Sequence, residues 1–317
     1  MFTHTLLFRT AFPIFSYNGK ERRLINLKRK DEKMAIFYNR ATLLYNGQNL
    51  NSNQVSGEIV EALTMTKTAI NGTYGVGDSI SYAVSIVNSG ATAINGFTLT
   101  DNLGEYTFQG LTLRPLTYRD GSVLFYIDGV LQPAPAVTAD DDLVISGLNI
   151  PAGSNAIIIY EALANGFAPL TAGATITNTA TVAGGGIAEA LTDTATVGVQ
   201  DEPNLSIAKA ICPAVVSDNG QLTYTFIIQN TGNTPIVATD DVIVTDVFSP
   251  ILGDITVTLN GATLAEGTNY TYSEATGEFA TLPGTITVDA ATYTRDATTG
   301  LITINPGVSV LTVSGTI

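Results

Sequence analysis

Two stretches of this chain carry the same residues at the same intervals. Lys67, Tyr82, Asn88 and Asp101 recur as Lys209, Tyr224, Asn230 and Asp246. Lysine to tyrosine is 15 residues in both copies, and tyrosine to asparagine is 6. The chain therefore has to fold as two copies of one unit. The copies do not end alike. The first runs on into a strand-like Ile176-Thr-Asn-Thr-Ala-Thr-Val182, a Gly184-Gly-Gly186 turn and a second strand-like run, Ala190–Val199. The second stops after the run Val308–Val313, four residues before Ile317. A piece resembling the missing one stands at the other end: Phe37-Tyr-Asn-Arg-Ala-Thr-Leu-Leu-Tyr45, a turn at Asn46-Gly47, then Val55–Val60.

The repeated unit reads as β-structure. Ile80–Val87 and Leu222–Ile228 alternate apolar and polar residues with period two, and both are rich in residues that pack on a pleated sheet. Asn88-Ser-Gly90 and Asn230-Thr-Gly232 follow as turns, and Phe97–Asp101 and Val242–Asp246 as the next strands. Short strands with Gly, Asn and Pro turns, and no sustained 3.6 periodicity, predict an all-β fold of tandem immunoglobulin-like β-sandwich domains. Tyr82 and Tyr224 fall on the alternating strands as core residues. The expected organisation is a leader over 1–33, disordered or a misassigned translation start; an N-terminal β-hairpin over 34–62; a first sandwich over 63–200; and a second over 203–317 that lacks its last strands. Asp201–Asn204 reads as a linker short enough to make the pair a semi-rigid rod.

Three arrangements are open for the second unit. It is complete in a smaller form, or the head hairpin folds back on it within the chain, or the hairpin of one molecule completes the second unit of the next. A sandwich without its last strands exposes an edge and a strip of core, which proteins rarely leave uncovered.

Charge narrows the partners. Eight of the fourteen Lys and Arg lie in residues 1–33, and from residue 34 onward there are six basic and 25 acidic residues. Phosphate would be repelled, so nucleic acid is not an expected partner of the body. No run is apolar for the length of a membrane span. The basic cluster of residues 20–30 follows the apolar start rather than preceding it, so no clear secretory signal is read there. The single Cys212 cannot form an internal disulfide and is expected as a small buried hydrophobe. With His4 the only histidine, neither Ser-His-Asp nor Cys-His catalysis can be assembled in the body. The chain is expected not to be an enzyme and to need no cofactor or metal. Asp140-Asp-Asp142 and Asp240-Asp241 read as solvated acidic turns, with calcium binding the less favoured alternative.

The runs Lys67…Ser79-Ile-Ser-Tyr82…Asn88-Ser-Gly90…Leu99-Thr-Asp101…Asn178-Thr-Ala-Thr-Val182 and Lys209…Leu222-Thr-Tyr224…Asn230-Thr-Gly232…Val244-Thr-Asp246 resemble the conserved-repeat domain of bacterial cell-surface proteins. The resemblance covers nearly all of 60–317. It implies immunoglobulin-like domains of structural or adhesive proteins at a bacterial cell or spore surface, with related surface proteins as partners. It is also similar to pilin domains that form Lys–Asn isopeptide bonds, and on that resemblance Lys67, Asn178 and Asp101 match the lysine, asparagine and carboxylic acid. Such chemistry needs a desolvated, neutral amine and an acid that polarises the amide. The plainer alternative has Lys67 snorkelling at a domain edge while Asn178 and Asp101 bond to backbone. Lys209 and Asp246 have no asparagine partner in the second unit, and Asn39 of a neighbouring molecule would supply one. The function these readings support is a non-enzymatic subunit of a surface, spore-coat or appendage filament. It would assemble head to tail with copies of itself by β-strand complementation. The competing reading is a monomeric adhesin or spacer that binds a glycan or protein through its loops.

Overall fold

The computed structural model describes residues 35–59, 63–217 and 220–317. The expectations for the leader 1–33, including His4, lie outside the described residues. The described chain is β throughout apart from one 3-10 turn at Ala238–Asp240. No helix among the described residues is long and apolar enough to cross a membrane. The chain divides into two compact units, 1–61 and 62–317.

The described part of the first unit, residues 35–59, is a long hairpin. Strands β1 (Ala35–Asn39) and β4 (Val55–Ile59) pair antiparallel, as do β2 (Thr42–Tyr45) and β3 (Gln48–Asn51). Asn46 and Gly47 connect β2 to β3 with φ of 51° and 75°. Two positive φ values make a type I′ turn, whose twist matches that of the strands it joins, and Asn-Gly is the pair that adopts it at least cost. The ring of Phe37 lies across Gly57, where a Cβ would meet it at 2.5 Å. No side chain from Phe37 to Ser56 is buried, and Phe37, Tyr38, Leu43, Leu44, Tyr45, Leu50 and Val55 are all more than half exposed.

The second unit holds two sandwich modules, each with its own core. In the first module, β5 (Leu63–Ala69), β6 (Ser79–Asn88), β7 (Ile94–Asp101), β8 (Leu143–Ile150), β9 (Asn155–Ala164), β10 (Thr175–Gly184) and β11 (Leu191–Val199) build two sheets. One sheet runs from Leu124–Ile127 through β9 and β6 to β5. The other runs β8, β7, β10, β11, with the short Thr73–Tyr74 strand parallel to β11. Alternate residues of β6 and β9 are buried. Ile80, Tyr82, Val84 and Ile86 meet Ala156, Ile158, Tyr160 and Ala162 in a core closed from the opposite sheet by Leu99, Ile145, Ala180 and Val182.

The second module repeats the plan with β12 (Leu205–Cys212), β13 (Gln221–Asn230), β14 (Thr245–Val247), β15 (Gly253–Leu259), β16 (Tyr270–Tyr272), β17 (Glu278–Thr281), β18 (Thr292–Arg295), β19 (Ile302–Asn305) and β20 (Gly307–Thr316). One sheet is ordered β12, β13, β20, β15 and the other β14, β17, β16. Register maps β12 on β5, β13 on β6, β14 on β7, β17 on β8 and β20 on β9. The pairing of Asp246 with Phe279 answers that of Asp101 with Leu143. Strand β14 stands at the edge of its sheet, on the side where β7 carries β10. Val242–Val244, expected as strand, lies outside the ladder although Val244 is buried.

The repeated asparagines have a common task. Each is buried, donates from Nδ2 across its turn (Asn88 to Thr92 O, 2.9 Å; Asn230 to Thr234 O, 2.7 Å) and accepts at Oδ1 from Gly90 or Gly232. Each also donates to a distant backbone carbonyl, Asn88 to Pro151 O and Asn230 to Asp289 O. The β18–β19 hairpin has no counterpart in the first module and packs back on it. Tyr293, Ile302 and Ile304 join the first core, and the Arg295 guanidinium lies over Tyr106 and Phe108 at 5.4 and 5.1 Å.

Candidate functional site

The two repeated lysines sit in matching places with opposite surroundings. Lys67 points inward from β5, and its Nζ lies 2.5 Å from Asp101 Oδ2, both side chains fully buried. Asp101 ends β7, where its Oδ1 also accepts the Leu103 N–H at 3.0 Å and its Oδ2 accepts the Tyr160 hydroxyl. Asn178 comes from β10, also fully buried. Its Oδ1 accepts the Gly104 N–H at 3.1 Å, and its Nδ2 lies 3.4 Å from the Tyr160 hydroxyl. Lys67, Asp101 and Asn178 thus belong to one buried polar cluster, with Tyr160 bonded to both Asp101 and Asn178. Lys67 does not snorkel. Its amine lies 4.9 Å from the Tyr82 ring centroid.

Burial holds the Lys67 amine down to about 8, against the pull of Asp101 and, more weakly, Asp193. Burial also pushes the phenols of Tyr82 and Tyr160 well above their ordinary range. The Tyr82 hydroxyl is buried with no hydrogen bond of good geometry, although the Asn178 side chain faces it. Burial disfavours the charge of Lys67 beside the Asp101 carboxylate, and in the same cluster the Asn178 carbonyl accepts a backbone N–H. Four participants escaped the sequence reading: Tyr160, Tyr82 as a wall of the site, Gly104 and Asp193. Asp193 had a signal, since it sits on the inward parity of β11 between Leu191 and Ala195, and its Oδ2 accepts the Lys67 N–H at 2.8 Å.

Lys209 keeps the ion pair and loses the enclosure. It pairs with Asp246 Oδ2, but its side chain is 41% exposed and that of Asp246 18%. Its Nζ lies 4.5 Å from the Tyr224 ring centroid, with Phe226 and Phe248 farther out at 5.5 and 5.6 Å. Val313 replaces Tyr160 at the matching position opposite the tyrosine, so Asp246 has no phenol to bond. All eight residues of β12 are exposed. The inward positions Leu205, Ile207 and Ile211 are 40, 58 and 46% exposed, where Leu63 is buried and Met65 and Ala69 are partly buried in the first module. The difference is β11, which packs on β5 and has no equivalent over β12 among the described residues. Cys212, expected to be buried, is exposed because it falls on the outward parity of β12, like its counterpart Ile70 in the first module. Asn39, the asparagine expected to serve Lys209, ends β1 opposite Val55 and is exposed.

No group of three or more His, Cys, Asp or Glu among the described residues could hold a metal ion. Asp141 and Asp142 instead flank Arg114, at 3.6 and 3.2 Å. Asp240 accepts the Val237 N–H at 2.8 Å and closes the 3-10 turn.

No family model matches this sequence, and no curated protein matches it. Among solved structures it is similar to the pilus backbone RrgB from Streptococcus pneumoniae, with 13% identity over 77% of this chain and 55% of that one, TM-score 0.31. It is similar to BcpA, the major pilin subunit of Bacillus cereus, with 12% identity over 86% of this chain and 73% of that one, TM-score 0.31. It is also similar to the major pilin SpaD from Corynebacterium diphtheriae, with 11% identity over 77% of this chain and 59% of that one, TM-score 0.33. The chain spans about half the length of the RrgB chain it matches. Similarity at this level carries no functional argument, which has to come from the side chains.

Proposed function

We propose that this protein is a non-enzymatic structural subunit of a bacterial surface filament or appendage. In this reading it joins head to tail when the β1–β4 hairpin of one chain adds to the second module of the next. The observation that carries the reading is the open flank of that module. Among the described residues no strand pairs with the outer edge of β14 and the inward face of β12 is exposed, where the first module has β10 and β11. Full burial of a Leu or Ile side chain is worth about 1.5–3 kcal/mol. Covering Leu205, Ile207 and Ile211 is therefore a strong drive toward a partner that brings strands. The hairpin suits that role because an isolated hairpin is at best marginally stable in water, and this one displays seven exposed large apolar side chains. Donor and acceptor are different surfaces, so the contact is heterologous and propagates instead of closing. Asn39 of one chain then joins Lys209 and Asp246 of the next, in the place that Asn178 takes in the buried cluster of Lys67, Asp101 and Tyr160.

Within the first module we propose an isopeptide bond between Lys67 and Asn178. The neutral Lys67 Nζ attacks Asn178 Cγ, whose oxygen is held by the Gly104 N–H. The Cγ–Nδ2 bond breaks, and one amine proton passes through Asp101 to the departing nitrogen, which leaves as ammonia. The bond supports a load-bearing role because it ties β5 to β10 across the two sheets. Negative-stain microscopy tests the assembly: filaments from the whole chain, and none after deletion of residues 35–60, are expected. Filaments that survive the deletion would sink hairpin donation. Intact mass tests the bond, with a loss of about 17 Da per bond expected and an unchanged mass excluding it.

A further inference from the structure

We infer that the hairpin of a second copy seats on the second module in one register, with Asn39 standing where Asn178 stands in the first module; this rests on the assembly reading above. The first module supplies the template. There β10 pairs antiparallel with β7, Ala180 opposite Asp101, Thr181 opposite Thr100 and Val182 opposite Leu99. Carried across both repeats, this puts Ala41 opposite Asp246, Thr42 opposite Thr245, Leu43 opposite Val244 and Leu44 opposite Ile243.

Side-chain parity agrees. On β10, Ile176, Asn178, Ala180 and Val182 are buried and the residues between them are not. The same parity turns Phe37, Asn39, Ala41 and Leu43 inward and leaves Tyr38, Arg40, Thr42 and Leu44 outside. A slip of one residue reverses every side chain and turns the Arg40 guanidinium inward beside the Lys209 ammonium, two cations against the single Asp246 carboxylate. A slip of two keeps the faces but brings Phe37 or Ala41 to the Lys209–Asp246 pair. The ion pair would then be closed under apolar atoms with no amide to bond. One register alone gives the pair a carboxamide.

The second strand follows. Leu50 is opposite Leu43 as Leu191 is opposite Val182, and Val55 is opposite Asn39 as Ala195 is opposite Asn178. The hairpin holds one extra residue between these pairs, taken up at Ser52–Gln54, where Ser52 Oγ accepts the Ala41 N–H at 3.0 Å. Strand β4 is thereby laid over β12, as β11 lies over β5. The first module offers no such seat, because its own β10 and β11 fill it. Each chain accepts one hairpin and donates one, which makes the assembly linear and unbranched.

Disulfide trapping in the full chain tests the register, with Cys212→Ser removing the native thiol. Thr42→Cys with Thr245→Cys places the pair directly opposite across the proposed joint, and Leu44→Cys with Ile243→Cys is a second opposed pair. Thr100→Cys with Thr181→Cys, opposed within the first module, is the geometric control and closes inside one chain. Mild oxidation and denaturing electrophoresis without reductant are expected to give a ladder of joined chains above that of the Cys212→Ser parent, and reduction removes it. The slipped pairs Thr42→Cys with Ile243→Cys or Val247→Cys are expected to give several-fold less. A ladder strongest for a slipped pair overturns the register while leaving hairpin donation standing. Crosslinks confined to single chains show that the hairpin closes its own molecule and overturn the second-copy occupant. Filaments without a crosslink from any pair mean that something else covers β14. Absence of both filaments and ladders, with the control disulfide formed, overturns the assembly reading itself.

Discussion

Lys67 and Lys209 stand at the same point of two copies of one fold, and two strands separate their fates. In the first module β10 and β11 lie over the ion pair, and Lys67 and Asp101 are fully buried. In the second module those strands are missing from the described residues, and Lys209 is open to water. The sheets, the asparagine staple at the first turn and the lysine over a tyrosine ring are otherwise kept. The comparison teaches that the shared motif encodes a scaffold, and that the closing strands decide whether the scaffold is a sealed domain or a socket. A socket and a sealed domain respond differently to the same kinds of change.

The largest contrast is expected from the closing strands. Removing core atoms from β10 by Ile176→Ala or Val182→Ala should lower the stability of the first module by about 2–4 kcal/mol, since both side chains are buried. The matching change in the hairpin, Leu43→Ala, should leave both modules as stable as before and weaken assembly. Chemical denaturation of the single chain and filament yield read the two effects separately. A Leu43→Ala chain that loses module stability without losing assembly would break the comparison.

The ion pairs give a contrast of similar size. Removing one partner of a buried pair leaves an uncompensated charge and typically costs about 3–5 kcal/mol. Lys67→Ala, which removes the bond and leaves Asp101 buried without its amine, and Asp101→Ala, which leaves a buried amine without its acid, should both destabilise the first module strongly. Lys209→Ala in the unassembled chain should change stability by about 0–1 kcal/mol, because solvent already screens that pair. Equal losses in urea titrations of the two variants would mean that the sockets are energetically alike.

Much of this asymmetry is legible in the sequence and some is not. The repeat exposes the sandwich count, because Lys67 to Asn88 and Lys209 to Asn230 keep both composition and spacing over residues that alternate with period two. The uneven ending is legible for the same reason: at the head of the chain, Asn39-Arg-Ala-Thr42 matches Asn178-Thr-Ala-Thr181. The identity of the bonding groups around Lys67 is not. Tyr160 reads in the sequence as one more apolar residue of Ala156-Ile-Ile-Ile-Tyr160, and only the pairing of β9 with β6 brings its hydroxyl to Asp101. Gly104 acts through its backbone N–H, which no side-chain motif records. Nor does local pattern reveal that Tyr293 and Arg295 serve the neighbouring module, since contact across a joint depends on how the two bodies dock.

A smaller effect comes from pH and bears on the bond. The amine of Lys67 is held at about 8 by burial, below its ordinary 10.5. Between those values the unfolded chain binds a proton that the folded chain does not, so a free amine makes stability rise with pH across that window. Above about pH 10 the raised phenols of Tyr82 and Tyr160 act in reverse, because the unfolded chain then loses protons first. An isopeptide has no amine to titrate. The expectation is a flat urea midpoint between about pH 8 and pH 10 in the wild type, and a rise in Asn178→Ala, where Lys67 stays free. A rise in the wild type would mean that the bond is not made.

The smallest effect is expected at the joint between the modules, where sealed domain meets socket. Arg295 reaches from β18 over Tyr106 and Phe108 and donates to Gly300 O at 2.8 Å within its own hairpin. A cation stacked on aromatic rings at a partly exposed site contributes about 0.5–1 kcal/mol. Tyr293, Ile302, Ile304 and the Ile302 N–H bond to Gly166 O remain when the guanidinium is removed. Arg295→Ala should therefore leave each module's stability nearly unchanged while loosening the angle between them. Small-angle scattering would read this as a broader distribution of end-to-end distances in the unassembled chain. In filaments the same change should lower persistence length without lowering yield, because neither β14 nor the hairpin is touched. A drop in yield would mean that the socket requires a fixed joint, and would tie the two modules together more tightly than their separate cores suggest.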